Sequence, residues 1–443
     1  MRRDLTTRPN VQDHRSGDDF AGANPGQWKA GALKPVDPRP GNAMAAISMP
    51  RQAVPDAIAT RLALAVADAN WYTTENLFGA LERPEVSTLL LTCIDYRNAW
   101  NRGLAPWRWG RTLQPAGPKL WRRDLVLPSG WMKRFPRWGM RPIARGIDRW
   151  RAEHVADRSV PLALVMTYPH YLYLRDQVRP DIQVYFNIDD YTQYWPRCAD
   201  RINDLERQAV READLTVCVS RRRCEELQAA EPAAANRIRH LPHGTPSAFL
   251  ADAPRDRPGP APDDLAALPR PLLGYVGSLE ERIDWPLLTR LADAFPSASI
   301  VLIGRLGRPS AESWQRDARR CLDRSNVHHL GWRSQFDLGR YIQSFDACLI
   351  PYRTDHPFNL ACCPTKIMDY MGSGRPIVST ALPECRLYQD LFDVAEDAEA
   401  FLGATARLLR DGSEDGRAAA RFDWARDHSC QRTAERLIDW LPM

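Results

Sequence analysis

The sequence predicts an α/β protein made of two doubly wound domains. Short apolar runs that suit buried parallel strands alternate with stretches that suit helices, both before residue 250 and after residue 269. The chain has 443 residues, enough for two domains of ordinary size. Between the two series, residues 251–268 are rich in Pro and Asp, a composition typical of a linker. We therefore expect a first domain at 56–250, a second at 269–428 and a final helix at 429–443.

The N-terminal residues 1–55 differ from the rest of the chain. They are rich in Pro, Gly, Arg and Asp and show no hydrophobic period, so they cannot bury enough surface to offset the entropy of ordering. We predict a disordered tail. A partner-binding arm is the alternative.

Composition also bears on location. No run approaches the roughly 18 apolar residues of a transmembrane helix, and the charged N-terminus has no apolar signal-peptide core. These observations predict a cytoplasmic protein. The ten cysteines include no CxxC pair, so we expect reduced and mostly buried thiols.

Strands of the first domain are predicted at four apolar runs, residues 61–68, 87–94, 161–168 and 182–188. Ligands of a doubly wound domain lie at the carboxyl ends of its strands. Asp68, Asn70, Trp71 and Asn76 follow the first strand and His170 follows the third, so we expect them to line a cleft at this edge. The alternatives are a capped helix start under a tryptophan lid, and a purely structural role for His170.

Two adjacent carboxylates, Asp189 and Asp190, follow the fourth strand. An ionised carboxylate in this position can remove a proton from a hydroxyl group within hydrogen-bond reach. Either residue could instead cap a helix that begins at Tyr191. The sequence makes both residues candidate bases without choosing between them.

The segment 97–151 is strongly basic and rich in tryptophan. It carries 14 Lys and Arg against two acidic residues, and seven of the 15 tryptophans of the chain. Cations interleaved with indoles suit an anionic bilayer surface, where the indoles lie at headgroup level. We predict peripheral membrane binding by this segment. Nucleic acid is the competing anion, but no base-reading motif accompanies the charge; a solvated basic surface with inward-packed tryptophans is the third possibility.

The second domain contains a candidate nucleotide site. Gly277 ends a predicted strand and would let a phosphate approach the backbone, while Arg282 can bind phosphate oxygens bidentately. Lys366 and Asp369 lie one turn apart on a helix predicted to begin near Pro364, so both can face one ligand. The ammonium suits a phosphate and the carboxylate suits a ribose diol. The alternative is an amphipathic helix capped by glycines.

Arg305 follows the next predicted strand of this domain. From that position its guanidinium can meet the same ligand. A surface ion pair is the alternative.

These motifs resemble the GT-B glycosyltransferases, group 1, including bacterial teichuronic-acid and exopolysaccharide types. The residues from Pro364 to Val378 are similar to the family pattern P-x-K-x-x-E-Y-x-x-x-G-x-P-V-V, with Asp369 in place of Glu. Ala361 stands where retaining members carry a further Glu. Earlier in the chain, Pro-His-Gly resembles the P-N-G turn of the family at the cleft between the domains, with His243 in place of Asn.

The resemblance implies the GT-B fold, in which two Rossmann-like domains face a central cleft and a final helix returns to the first domain. It also assigns sides to the cleft. Trp71, Asn76, His170 and His243 would contact the acceptor or line the cleft, and Asp189 or Asp190 would be the base. The donor side is a larger set: Gly277, Arg282, Arg305, Lys366 and Asp369.

The implied reaction moves a sugar from a nucleoside diphosphate donor, a UDP-sugar above all, to a lipid-linked or polysaccharide acceptor of the cell surface. Because Arg282 and Lys366 would offset the diphosphate charge, no metal or other cofactor is expected. A peripheral position on the inner face of the plasma membrane follows from the basic segment. The alternatives are a nucleotide-sugar 2-epimerase on the same fold and a non-catalytic donor-binding or scaffold protein.

Overall fold

The computed structural model describes residues 58–101, 113–132, 135–155, 157–253, 258–307 and 313–442. The predicted tail at 1–55 lies outside these residues, as do Trp107 and Trp109 of the basic segment. Within the described ranges, no helix is long and apolar enough to cross a membrane. All ten cysteines are described; they are free thiols, and Cys198 alone among them is exposed.

The first domain contains an eight-stranded sheet. Its strands are β1 (Leu62–Ala67), β2 (Val86–Asp95), β3 (Gln114–Gly117), β4 (Leu120–Leu127), β5 (Leu162–Met166), β6 (Ile182–Asn187), β7 (Leu215–Cys218) and β8 (Ile238–His240). They are ordered β3-β4-β2-β1-β5-β6-β7-β8. The β3–β4 pair is antiparallel, and the other neighbouring pairs are parallel. Every residue of β1 and β5 is buried, as expected for central strands covered on both faces.

Helices cover this sheet. They are α1 (Tyr72–Gly79), α2 (Tyr96–Asn101), α3 (Pro136–Gly139), α4 (Arg141–His154), α5 (Leu172–Val178), α6 (Ala199–Glu212) and α7 (Arg221–Ala230). Apolar residues at helical spacing give each long helix one buried face; α6, for example, buries Ile202, Leu205 and Ala209. The strand order reverses between β1 and β5, which opens a crevice at the carboxyl ends of these strands.

The second domain repeats the plan with six parallel strands. The strands are β9 (Leu272–Val276), β10 (Ser299–Ile303), β11 (Val327–Gly331), β12 (Ala347–Ile350), β13 (Ile377–Thr380) and β14 (Asp393–Ala395). Their order is β11-β10-β9-β12-β13-β14, so this sheet has its own reversal between β9 and β12. The predicted fold class, two doubly wound α/β domains, is confirmed.

The helices of this part of the chain precede, connect and follow these strands. They are α8 (Asp263–Ala266), α9 (Trp285–Ala294), α10 (Ser313–Leu322), α11 (Gln335–Ser344), α12 (Pro357–Ala361), α13 (Lys366–Met371), α14 (Pro383–Arg386), α15 (Ala398–Arg410), α16 (Ala418–Asp427) and α17 (Cys430–Asp439). The Asp284 side chain caps α9 by accepting a hydrogen bond from the Leu287 N–H at 2.9 Å, with Pro286 in the first turn.

The last helix lies against the first domain. α17 packs on α1, and the Arg239 guanidinium lies 5.0 Å from the ring centroid of Trp440. The chain entering α17 pairs with the turn after β8, since Cys430 N–H donates to the Thr245 carbonyl at 2.9 Å. A Cβ on Gly244 would lie 2.6 Å from Cys430 Cα, so this close approach requires glycine.

Candidate functional site

The turn after β9 brings glycine and lysine together. Gly277 has φ +151°, and a Cβ there would lie 2.5 Å from Lys366 Nζ. Only glycine therefore combines this backbone with the lysine position. Lys366 begins α13, and its Nζ lies 5.4 Å from the ring centroid of Tyr275 and 5.6 Å from that of Tyr352. Two aromatic faces thus hold the ammonium over the end of β9.

Arg282 reaches the same place from the loop after Gly277. Its guanidinium carbon lies 4.4 Å from the ring centroid of Phe358 and 5.2 Å from that of Tyr352. Arg282 and Lys366 therefore contact one ring, Tyr352, at the carboxyl edge of the second sheet. Two cations held this close favour an anion carrying more than one charge.

Asp369 lies one turn after Lys366 on α13 and is partly buried. Burial raises its pKa to about 7, against the opposing charge of Lys366. Across the cleft, burial and the charge of Asp369 raise the pKa of the Tyr72 hydroxyl on α1. The carboxyl group is therefore near the first domain and suited to hydrogen bonding with hydroxyl groups of a ligand.

Asp189 provides the carboxylate on the opposite side. Tyr194 donates a hydrogen bond from its hydroxyl to Asp189 Oδ2 at 2.7 Å. Burial raises the pKa of Asp189 to about 6, while this hydrogen bond and the charge of Arg282 act in the opposite direction. The charge of Arg282, from the second domain, thus lowers the pKa of this carboxyl group.

Asp190 has a different role in the structure. Its side chain accepts hydrogen bonds from the N–H of Thr192 at 3.1 Å, from the Thr192 hydroxyl at 2.6 Å and from the Gln193 amide at 3.2 Å. These contacts close a turn. The predicted helix from Tyr191 is wrong, because residues 191–194 form turns and α6 begins only at Ala199. Asp190 therefore caps a turn rather than a helix.

The residues expected at the acceptor side lie in different surroundings. The Trp71 ring lies 6.1 Å from that of Tyr194, which places it near Asp189. Asn76 lies on α1, one turn after Tyr72. The Asn76 side chain acts on the Tyr72 hydroxyl, which also feels the charge of Asp369.

The two predicted cleft histidines are both buried. His170 packs edge-on against Trp195, with 5.6 Å between ring centroids. Burial lowers the pKa of His243 to about 4, so this imidazole is neutral at physiological pH. The backbone N–H of His243 lies beside the Cys363 thiol, just before α13. The turn carrying His243 thus contacts the loop that leads to Lys366.

Asp68 and Asn70 form a self-contained unit at the end of β1. Asp68 is buried and accepts hydrogen bonds from the Asn70 N–H at 2.9 Å and the Asn70 side-chain amide at 2.6 Å. Burial raises the pKa of Asp68 to about 8. The carboxyl group lines a small cavity with Asn70, Cys93, Trp131, Met132, Tyr168 and Trp195. Its contacts position the loop that precedes Trp71.

Arg305 is exposed at the rim of the second domain. Its guanidinium carbon lies 5.5 Å from the ring centroid of Trp332, itself exposed. Within the described residues, Arg305 thus contacts an aromatic ring and not the acidic partner that the alternative prediction required.

Sequence reasoning missed three aromatic residues of this site, Tyr194, Tyr352 and Phe358. They connect the charged groups to one another, and only the folded chain brings them together. Tyr194 follows Asp189 by five residues in the run Asp-Tyr-Thr-Gln-Tyr-Trp, and this density of aromatic residues after a strand was the available signal. In the described part of the chain, no group of three or more His, Cys, Asp and Glu residues could hold a metal ion.

Comparison with solved structures places this arrangement among known proteins. The sucrose-phosphate synthase of Thermosynechococcus elongatus superimposes with a TM-score of 0.59 at 14% identity, covering 86% of this chain and 98% of that one. Anabaena HepE in complex with UDP and glucose gives 0.57 at 12% identity, covering 86% and 98%. An E. coli trehalose-6-phosphate structure bound with UDP-2-fluoro glucose gives 0.59 at 11%, covering 85% and 98%. The chain has the GT-B fold of glycosyltransferases.

Sequence comparison adds the family. Residues 270–411 match the family Glycosyl transferases group 1, and this matched stretch contains Gly277, Arg282, Lys366 and Asp369. A curated relative, TuaH of Bacillus subtilis strain 168, bears a name that assigns it to teichuronic acid biosynthesis as a glycosyltransferase. It is 25% identical over 112 residues, 25% of this chain and 27% of that protein. The match thus spans about a quarter of the relative's length. The predicted resemblance to group 1 GT-B glycosyltransferases is confirmed.

Proposed function

We propose that this protein is a glycosyltransferase that moves a sugar from a nucleoside diphosphate donor, a UDP-sugar, to a glycan or lipid-linked acceptor. One observation carries the proposal: Lys366 and Arg282 both lie against the Tyr352 ring, opposite Asp189. In the proposed reaction, the two cations stabilise the departing diphosphate and the carboxylate accepts the proton of an acceptor hydroxyl. Two of the three solved structures compared above contain UDP or a UDP-sugar analogue, which supports uracil as the base of the donor.

Each side chain has one part in the proposed reaction. The acceptor oxygen forms a bond to the anomeric carbon as the bond from that carbon to the diphosphate oxygen breaks. Lys366 and Arg282 stabilise the negative charge that develops on the diphosphate. Asp189 receives the acceptor proton; with a pKa of about 6 it is mostly ionised at neutral pH and suited to that task. Asp369 accepts hydrogen bonds from the ribose hydroxyls.

The acceptor is proposed to be presented at a membrane surface. In the described part of segment 97–151, Trp100 and Trp138 are exposed, and the Arg141 guanidinium lies 4.6 Å from the ring centroid of Trp138. Trp131 and Trp150 are buried instead, so part of the aromatic content belongs to the core. Exposed indoles beside arginines suit lipid headgroups and their phosphates. The name of TuaH supports a role in cell-surface polysaccharide synthesis.

Calorimetric titration with UDP, GDP and ADP tests the donor assignment. We expect UDP to bind, and Lys366→Ala to weaken binding roughly 10- to 100-fold, the value of a charge-assisted hydrogen bond. Arg324→Ala is the matched control, because Arg324 pairs with Asp293 (2.7 Å) on the surface just before β11, at the other edge of the sheet. Unchanged UDP affinity in Lys366→Ala would refute the assignment.

Turnover separates the proposed activity from its alternatives. Incubation with UDP-sugars should release UDP slowly by hydrolysis, and faster with a suitable acceptor. Turnover should survive a chelator, because the proposed charge stabilisation uses side chains alone. Chelator-sensitive turnover would contradict this mechanism. Conversion of the donor to its 2-epimer would identify an epimerase, and UDP binding without any turnover would favour a scaffold protein.

A further inference from the structure

The side chain of Tyr194 links the two halves of the candidate site. Its hydroxyl donates to Asp189 Oδ2 at 2.7 Å, and its ring packs edge-on against Phe358 of the second domain, with 5.5 Å between ring centroids. Phe358 in turn carries the guanidinium of Arg282 at 4.4 Å. We propose that Tyr194 is a positioning residue that holds Asp189 in its ionised form and couples it to the second domain through Phe358. This inference rests on the function proposed above.

The loop after β6 is folded so that Tyr194 returns to Asp189. Asp190 fixes the first turn through its hydrogen bonds with Thr192. The next turn forms when the Tyr194 N–H donates to the Tyr191 carbonyl at 3.2 Å. Tyr191 is buried, which anchors the middle of the loop. The contact between Tyr194 and Asp189 is therefore built into the backbone path rather than left to a free surface side chain.

The backbone of Asp189 is held by other residues. The side-chain amide of Asn187 donates to the Asp189 carbonyl at 3.0 Å and to Glu206 Oε1 at 2.7 Å. Glu206 is fully buried and forms an ion pair with Arg223 at 2.7 Å. Since this network does not involve Tyr194, loss of the Tyr194 hydroxyl should free the Asp189 side chain without releasing its backbone.

The surroundings of Asp189 explain why the hydroxyl matters. Burial raises the pKa of Asp189, and the hydrogen bond from Tyr194 opposes that rise. A hydroxyl binds a carboxylate more strongly than a neutral carboxylic acid, so Tyr194 favours the form that can accept a proton. The other charged or titratable groups that act on Asp189 or feel its charge are Arg282, Asp190, Arg223, Tyr168, Tyr191 and Cys362.

The first test is the pH dependence of UDP-sugar turnover in Tyr194→Phe, which keeps the ring and removes the donor. We expect the acid limb of kcat/KM to move up by roughly half to one pH unit, because the ionised carboxylate loses a charge-assisted hydrogen bond. UDP affinity should not change. Tyr191→Phe is the matched control, since the Tyr191 hydroxyl donates to the Thr167 carbonyl instead of Asp189. An acid limb that stays in place in Tyr194→Phe would overturn the proposal.

The second test needs no activity. The pKa of Asp189 in the folded protein, about 6, lies above its ordinary 3.8, so the folded state binds more protons than the unfolded state between these values. Its contribution to stability is therefore greatest at low pH and falls as pH rises through this window. Tyr194→Phe should deepen that fall, lowering the melting temperature more at about pH 7.5 than at about pH 4.5.

Asp189→Asn should abolish this pH-dependent part of the Tyr194→Phe effect. Tyr194→Phe could instead lower the melting temperature equally at both pH values, with either Asp or Asn at position 189. That result would mean that Tyr194 only packs, and it would refute the inference. Failure of UDP to bind or turn over would instead refute the proposed function. The two failures are thus separate, because coupling between Tyr194 and Asp189 can be measured in the ligand-free protein.

Discussion

The second domain takes two of its site residues from one short helix, whereas the first domain assembles its side of the cleft from the ends of several strands. Lys366 and Asp369 are three residues apart on α13, and residues 270–411 match one family. Asp189 instead depends on Tyr194 from its own loop and on a buried network that includes Arg223 from α7. Local helical geometry makes the first arrangement readable from sequence; the second exists only after long-range packing.

The largest expected effect tests the first-domain side. Asp189→Asn keeps the shape of the side chain but cannot accept a proton, so kcat/KM for transfer or hydrolysis should fall by about 10²- to 10⁴-fold. UDP affinity, set by the second domain, should stay within about threefold. Steady-state kinetics and calorimetry measure the two quantities.

Asp190→Asn is the control for this substitution. Asp190 is the adjacent residue and carries the same carboxylate group, so the two substitutions are closely matched. The Asp190 side chain already accepts hydrogen bonds from Thr192 and Gln193. Asn can still accept a hydrogen bond from the Thr192 N–H, so turnover should fall far less than in Asp189→Asn. Equal losses in the two variants would mean that the choice of Asp189 as base is wrong.

The comparison of the domains also explains what the sequence could predict. The turn at Gly277 and the helix that carries Lys366 follow from local rules of turns and helix ends, and the structure has both elements where the sequence predicts them. The sequence could not distinguish the roles of Asp189 and Asp190, because the distinction depends on where the Tyr194 hydroxyl lies after folding. The alternation of tryptophan and arginine likewise does not distinguish the buried Trp150 from the exposed Trp138. The packing of β4, α4 and the loops between them decides which of these side chains face the core.

The second prediction concerns the buried charges behind α13. The Arg421 side chain is fully buried, pairs with Asp415 at 2.7 Å and donates to the Gly374 carbonyl at 2.8 Å, just after the helix that carries Lys366. Arg421→Met leaves Asp415 and Gly374 short of hydrogen-bond donors. Stability should therefore fall by about 3–5 kcal/mol, as for other broken buried ion pairs. Urea unfolding at neutral pH measures the change.

Arg426→Ala provides the control on the same helix, α16. Arg426 pairs with Asp423 at 3.0 Å, but both side chains are more than half exposed, at 57% and 58%. Its removal should change stability by no more than about 0.5 kcal/mol. A loss below about 1 kcal/mol in Arg421→Met would show that the site helix does not depend on the buried pair.

The smallest expected effect tests the membrane part of the first domain. In the double variant Trp100→Ala and Trp138→Ala, the proposed lipid interface loses two exposed indoles. Because about 40 Å² of inserted apolar surface is worth roughly 1 kcal/mol at about 25 cal/mol/Å², the double variant should bind anionic vesicles at least about fivefold more weakly. Trp332→Ala is the control, because Trp332 is exposed to a similar degree, 59% against 60% for Trp100, but lies on the second domain. Vesicle sedimentation that falls equally in both variants would indicate nonspecific adsorption.

Equal recovery of the unaltered protein with neutral and anionic vesicles would remove the membrane proposal, and the two exposed tryptophans would then be ordinary surface residues of a basic face.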